Sequence, residues 1–133
     1  KLIPNIIFTV TIDSHQEIKI NEEHLKQLLI ILIDNAVKYS KHNEIRIEIQ
    51  YLENQLKIKD YGIGIDKDKI DHIFNRFYKV DESRVQNNNS FGLGLAIAKR
   101  LCDYYGYQIN VISKINEYTE FTINLKENDL WKN

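Results

Sequence analysis

The chain has 133 residues, enough for a sizeable core, and is read as one domain spanning 1–133. Charged residues make up 28% of it and the net charge is −1, so no global field marks a nucleic-acid partner or an anionic membrane. A single cysteine, Cys102, excludes an internal disulfide and fits a reducing compartment, and no apolar run approaches the ~18 residues of a membrane span.

No signal peptide opens the chain, and Lys1-Leu2-Ile3-Pro4 reads as the continuation of something longer. Ile6, Phe8, Val10 and Ile12 alternate with Ile7, Thr9 and Thr11, which predicts a strand. Residues 13–15 turn it, and residues 17–20 are expected to make a short second strand. Asn21 suits the N-cap of a helix whose first turn holds Glu22 and Glu23 at the positive end of the dipole. Leu25, Leu28, Leu29, Leu32, Ile33 and Ala36 give that helix one apolar stripe. Asn35, Lys38 and Tyr39 stand at i, i+3 and i+4, so an amide, an ammonium and a ring share its last turn.

Ile45, Ile47, Ile49 and Tyr51 alternate with Arg46, Glu48 and Gln50, the pattern of a strand buried on one face. Glu53-Asn54 turns it back into a second strand, in which Leu56 and Ile58 face inward and Asp60 keeps their parity. A carboxylate in that place needs a hydrogen-bonding partner, because burying one alone is costly. Gly62 and Gly64 follow, in Asp60-Tyr61-Gly62-Ile63-Gly64-Ile65, and would let the backbone pass close to a flat ligand. Asp66 suits the cap of a short helix in which Ile70, Ile73, Phe74 and Phe77 keep helical spacing. Residues 81–90 are polar and aperiodic, the composition of a plain loop or a mobile lid.

Phe91-Gly92-Leu93-Gly94-Leu95 opens the next helix, with Leu93, Ile97, Leu101 and Tyr104 expected inward and Gly106 ending it. Glycines at a helix start expose N–H groups that the dipole makes attractive to phosphate. Ile109 and Val111, then Phe121, Ile123 and Leu125, predict two final strands joined across Asn116. The sum is an α/β two-layer sandwich: a mixed, mostly antiparallel sheet covered on one face by about three helices.

Asn35-Ala36-Val37-Lys38-Tyr39, Asp60-x-Gly62-x-Gly64, the run Ile73-Phe74-x-Arg76-Phe77-Tyr78 and Gly92-Leu93-Gly94-Leu95 resemble, in that order, four sequence boxes. They are the asparagine box, the first glycine box, the phenylalanine box and the second glycine box of the catalytic ATP-binding domain of bacterial sensor histidine kinases. The likeness runs from about residue 6 to residue 125. It implies ATP and Mg²⁺ as ligands. By resemblance, Asp60 takes the adenine amino group, Gly62, Gly64 and Ile65 shape the base pocket, and Tyr39 packs on the base. Thr119, in a Thr-x-Phe element, is similar to the threonine that serves this pocket through a water. Asn35 ligates Mg²⁺, Lys38 neutralises phosphate, and N–H groups from Gly92 through Leu93 and Gly94 to Leu95 cradle the phosphates. Lys79 and Arg84 approach the terminal one.

The resemblance also implies partners: a histidine-bearing dimerisation domain of the same kinase and, through the full-length protein, a response regulator. It implies an isolated domain that is monomeric, a full-length homodimer, and a cytoplasmic domain of a membrane-anchored kinase. His15, His24, His42 and His72 all lack the sequence context of the family's phosphate-accepting histidine, so no catalytic residue is assigned within the chain. Three departures stand out: Ile31 where the family often has a second asparagine, Lys79 where arginine is commoner, and Tyr118 where a glycine usually precedes the threonine. The alternatives are an anti-sigma-factor serine kinase, a gyrase-, mismatch-repair- or heat-shock-type ATPase, and a non-catalytic nucleotide-binding docking module. The ATPases carry a glutamate one helical turn before the asparagine to activate water, and Ile31 fills that place.

Overall fold

The computed structural model describes residues 5–13, 17–40, 44–78 and 93–126. Eight elements follow in chain order: β1 (Asn5–Ile12), α1 (Glu22–Lys38), β2 (Glu44–Leu52), β3 (Gln55–Asp60), α2 (Lys67–Ile70), α3 (Gly94–Tyr105), β4 (Gln108–Lys114) and β5 (Tyr118–Asn124). The strands form one mixed sheet in the order β1-β2-β3-β5-β4. The β1–β2 pair is parallel, Ile6 lying beside Ile45 and Ile12 beside Tyr51, and the other three pairs are antiparallel. A parallel pair needs a long crossover, and α1 supplies it.

Period-2 alternation places Ile45, Ile47, Tyr51, Leu56, Ile58, Phe121 and Ile123 on one buried face. Over that face lie α1, which packs on β2 and β3, and α3, which packs on β4 and on α1. Leu28, Leu32 and Ala36 of α1 carry the seam, with Leu25, Leu29 and Ile33 partly buried beside them. β1 stands at the edge, and its residues of inward parity, Ile6, Phe8, Val10 and Ile12, remain between 40% and 62% exposed.

The predicted caps and turns largely form. The Asn21 side chain accepts the N–H of Glu23, Glu53 and Asn54 take positive φ to close the β2–β3 hairpin, and Gly106 ends α3 in the left-handed conformation.

Three expectations are corrected. Residues 17–20 are not a strand: they run without strand pairing, Ile18 and Ile20 lodge against the core, and the Lys19 carbonyl accepts the Tyr107 hydroxyl. The alternation there records contact of Ile18 and Ile20 with the core and not a ladder.

The helix expected through residue 77 keeps regular form only over Lys67–Ile70, and turns follow. Ile73 is buried, but Phe77 sits at φ 66 and is 63% exposed. Asp66 occupies the N-cap position without a side-chain capping bond.

In α3 the fully buried residues are Ala98 and Cys102, not the larger ones. Ile97 is 39% exposed and Tyr104 76% exposed, while Leu93 and Leu101 are partly buried. Small side chains let α3 approach its neighbours closely, so the contact face falls one position away from the most hydrophobic stripe. Burial pushes the Cys102 thiol up to about 12.

Candidate functional site

β3 ends at Asp60, which is only 4% exposed on the helix-covered face. One lateral row crosses four strands there: Ile47 on β2, Asp60 on β3, Thr119 on β5 and Ser113 on β4. The row passes from an apolar residue to a carboxylate and two hydroxyls, so the sheet itself builds a polar floor. Asp60 Oδ1 accepts the N–H of Gly62 at 2.9 Å. Burial nevertheless pushes the Asp60 carboxyl up to about 6, the Gly62 hydrogen bond pulling the other way. The group is thus mainly ionised at neutral pH and lacks full compensation for its burial.

Backbone contacts hold the turn after Asp60. A Cβ on Gly62 would collide with the Tyr39 carbonyl oxygen, and that same oxygen accepts the Ile63 N–H at 3.0 Å. Gly64 has φ 74, and a side chain on it would collide with the Lys114 carbonyl. Ile63 O accepts the Asn116 N–H at 2.7 Å. The turn is therefore tied on one side to the end of α1 and on the other to the β4–β5 hairpin. Both glycines are required by close approach, and what approaches is the protein's own backbone, where the sequence suggested a flat ligand.

Ile65 is buried, and its N–H is donated to Ser113 Oγ at 2.8 Å. The same oxygen lies 2.7 Å from the Tyr118 carbonyl and 2.9 Å from Thr119 Oγ1. Thr119 is 4% exposed and opposite Asp60. Tyr118 does not disturb the hairpin, because the positive φ falls on Asn116 (62°). On the outer face Lys59 Nζ lies 5.0 Å from the Tyr61 ring centre and 4.7 Å from that of Tyr118, spanning the ends of β3 and β5.

Beside Asp60, towards α1, a cavity of about 220 Å³ opens between Ala36, Ser40, Ile45, Tyr61 and Gly62. It is smaller than the ~300–1,000 Å³ of most ligand pockets, so it would take only part of a ligand. Asn35 lies on the last turns of α1 and is partly buried. Lys38 is paired with Asp34, Nζ to Oδ2 at 2.9 Å, with 23% of its side chain exposed. Across α1 from the site's edge, the Cγ2 of Ile31 lies 3.5 Å from where a Cβ on Gly94 would stand. The start of α3, with Leu93 at its cap and Gly94 and Leu95 in its first turn, is thus one helical turn from Asn35 along α1.

The structure brings Asp60, Gly62, Gly64, Ile65, Thr119 and the Tyr39 backbone together, and sets Asn35, Lys38 and the start of α3 at the flank. Lys79, Arg84 and Gly92, and the segment 81–90 expected as a loop or lid, lie outside the described residues. His24 bonds Tyr105 OH through Nδ1, and His72 packs on Tyr78, so both have structural partners. Sequence reasoning missed Ser113. Its signal was available, since a hairpin centred on Asn116 pairs position 113 with position 119.

The family model for histidine kinase-, DNA gyrase B-, and HSP90-like ATPases matches residues 20–129. The chain belongs to that family. Among curated relatives it is 43% identical over 112 residues to the signal transduction histidine-protein kinase ArlS of Staphylococcus haemolyticus, covering 82% of this chain and 25% of that protein. It is 42% identical over 111 residues to the sensor histidine kinase YkoH of Bacillus subtilis, covering 83% of this chain and 24% of that protein. The chain therefore spans about a quarter of the length of these relatives.

The fold is similar to that of the mycobacterial sensor histidine kinase MprB, with TM-score 0.73, 24% identity, and cover of 89% of this chain and 81% of that one. It is also similar to full-length ShkA in complex with AMPPNP, with TM-score 0.69, 26% identity, and cover of 89% of this chain and 25% of that one. The family membership bears out the resemblance, and the mixed sheet under helices bears out the expected fold. Among the described residues no helix is long and apolar enough to cross a membrane.

Proposed function

We propose that this chain is the ATP-binding catalytic part of a sensor histidine kinase, which delivers the γ-phosphoryl group of ATP to a histidine on a separate dimerisation domain. One observation carries the reading: an ionisable carboxylate, Asp60, sits buried at a strand end beside a glycine turn built for close approach, in a member of the ATPase family. A relative of similar fold, ShkA, has a structure in complex with AMPPNP.

In this reading Asp60 accepts the exocyclic amine of adenine. A carboxylate held above its ordinary range for want of partners gains most from a ligand donor. Gly62 and Gly64 let the turn pack against the Tyr39 and Lys114 carbonyls, which holds it in place beside Asp60, and the base would lie along it with Ile65 and Tyr39 at its faces. The phosphates extend towards Lys38 and the start of α3, where free N–H groups of the first turn meet negative charge. Lys38 would share its charge between Asp34 and phosphate.

Mg²⁺ fits this donor set in one way. Among the described residues no group of three or more His, Cys, Asp or Glu could hold a metal, so this part of the chain would contribute the amide oxygen of Asn35, with phosphate oxygens and water completing the shell. Bound there, the ion would neutralise the phosphate charge during transfer. Transfer breaks the bond between the γ-phosphorus and its bridging oxygen and forms one to an imidazole nitrogen of the acceptor, with ADP leaving. The protein's share is positioning. Full-length relay to a response regulator follows from the same reading.

The test is direct. Calorimetry of the chain with Mg²⁺·ATP should show 1:1 binding in the micromolar range or weaker, and mixing with the kinase's own dimerisation domain and labelled ATP should transfer label to a histidine. No binding of ATP by the folded protein would overturn the reading.

A further inference from the structure

Ser113 has more neighbours than a spectator hydroxyl, and their chemistry leaves its proton a single direction. A serine oxygen owns one hydrogen and two lone pairs. The Ile65 N–H can only donate, so at 2.8 Å it occupies one lone pair. The Tyr118 carbonyl can only accept, and two oxygens 2.7 Å apart without a hydrogen between them would repel, so the Ser113 proton points there. Thr119 Oγ1, at 2.9 Å, can then meet Ser113 only by donating its own proton into the remaining lone pair. Thr119 has spent its hydrogen. What it has left for a ligand is lone pairs alone, and it stands opposite Asp60 in the same row.

The geometry points to Ser113 as a positioning residue that fixes the polarity of the pocket floor: by holding the Thr119 proton, it leaves only acceptors beside Asp60, so the site takes a base edge bearing an amino donor and rejects one that presents a carbonyl there. This rests on the adenine reading above and adds to it a residue outside the matched sequence boxes. The acceptor wall spans Asp60 and Thr119 on neighbouring strands, and the wiring that imposes it comes from β4, one strand further out. A ring nitrogen next to the amine, itself an acceptor, would be reached through a water that donates both ways.

ATP and inosine triphosphate test this, because they share ribose and phosphates and reverse the base edge: an amine beside an acceptor nitrogen in one, a carbonyl beside an N–H in the other. Binding of both is measured by calorimetry for the wild type, Ser113→Ala, Ser113→Thr and Thr119→Val, each checked for folding by thermal melting. The wild type should prefer ATP. In Ser113→Ala the Thr119 proton is freed to face the ligand, so the preference should fall about tenfold, chiefly by tighter inosine triphosphate binding. Ser113→Thr keeps the hydroxyl and should restore the preference.

Thr119→Val should also lower the preference, and adding Ser113→Ala to it should change nothing further. This arm still reads the link if Ser113→Ala alone fails to fold. A Ser113→Ala protein that weakens both nucleotides equally, keeping the ratio, would show mere structural support and overturn the inference while leaving the ATP reading intact. Wild-type protein that binds neither nucleotide would overturn both.

Discussion

The carbonyl oxygen of Tyr39, at the end of α1, lies so close to Gly62 that no side chain fits between them, and it also accepts the Ile63 N–H at 3.0 Å. The last turn of the helix and the turn after Asp60 are thereby joined through backbone. Replacing Gly62 by Ala sets a methyl against a carbonyl that is already engaged, and neither partner is a flexible side-chain end. The expected cost is about 1–3 kcal/mol. Gly64→Ala should cost at least as much, because it adds a left-handed backbone to a collision with the Lys114 carbonyl. Urea unfolding of the two variants measures this, and wild-type midpoints would show that the turn can yield.

Asp60→Asn should move stability and affinity in opposite directions. The carboxyl rises from an ordinary 3.8 to about 6 on folding, so between those values the folded chain binds more protons than the unfolded one. Stability therefore falls as pH rises through that window, and the whole penalty is present above about 6. The gap corresponds to at most ~3 kcal/mol. The amide variant should melt higher than wild type at pH 7 without nucleotide and lose the slope between pH 4 and 6. It should also bind ATP more weakly by roughly 1.5–3 kcal/mol, through loss of the charged acceptor. Adenosine, which has no phosphate to titrate, should bind wild type more tightly as pH rises to about 6 and level off above it. Equal ATP affinity in the variant would remove Asp60 from the adenine site.

Asn35→Ala separates metal from base. Nucleotide binding should survive in part, since Asp60 and the glycine turn are untouched, while phosphoryl transfer to the dimerisation domain should drop below detection. A variant that transfers at the wild-type rate would make Asn35 a residue of the helix end and nothing more.

Alone, the 133-residue chain should neither label itself nor hydrolyse ATP above a trace. Ile31, one turn before Asn35, packs toward the start of α3 and has no group to activate water. With its dimerisation domain the labelled product should be acid-labile and base-stable, as a phosphohistidine is. Steady hydrolysis by the lone chain would place it with the gyrase-type ATPases, and an acid-stable phosphoserine on a partner would place it with the anti-sigma-factor kinases.

Much of this is legible in the sequence alone. Alternation announced β2, β3 and β5 because each has one face in the core, and a strict period of 2 is hard to produce otherwise. Asp60 keeping the parity of Leu56 and Ile58 was enough to put it inside. What escaped needed partners rather than patterns. Ile18 and Ile20 alternate like a strand, yet nothing in their own spacing says whether another strand lies alongside. In α3 the stripe of large residues is the stronger pattern, whereas Ala98 and Cys102 face the core because closeness of approach, and not hydrophobicity, decides that face. Phe77 fits a helical period, but its backbone has already left the helix. Ser113 was hidden because part of its role, the bond from the Ile65 N–H, exists only once two distant segments are laid side by side.

Cys102 makes a built-in reporter of opening. It is the sole thiol, it has no exposure, and burial holds it protonated far above neutrality. A thiol reagent therefore has nothing to attack in an intact molecule and one target in an opened one. Each molecule carries its own opening counter: the labelled fraction, read over time by mass, reports how often the packing around Cys102 opens. A probe cysteine placed on the surface could be modified selectively without first deleting the native one.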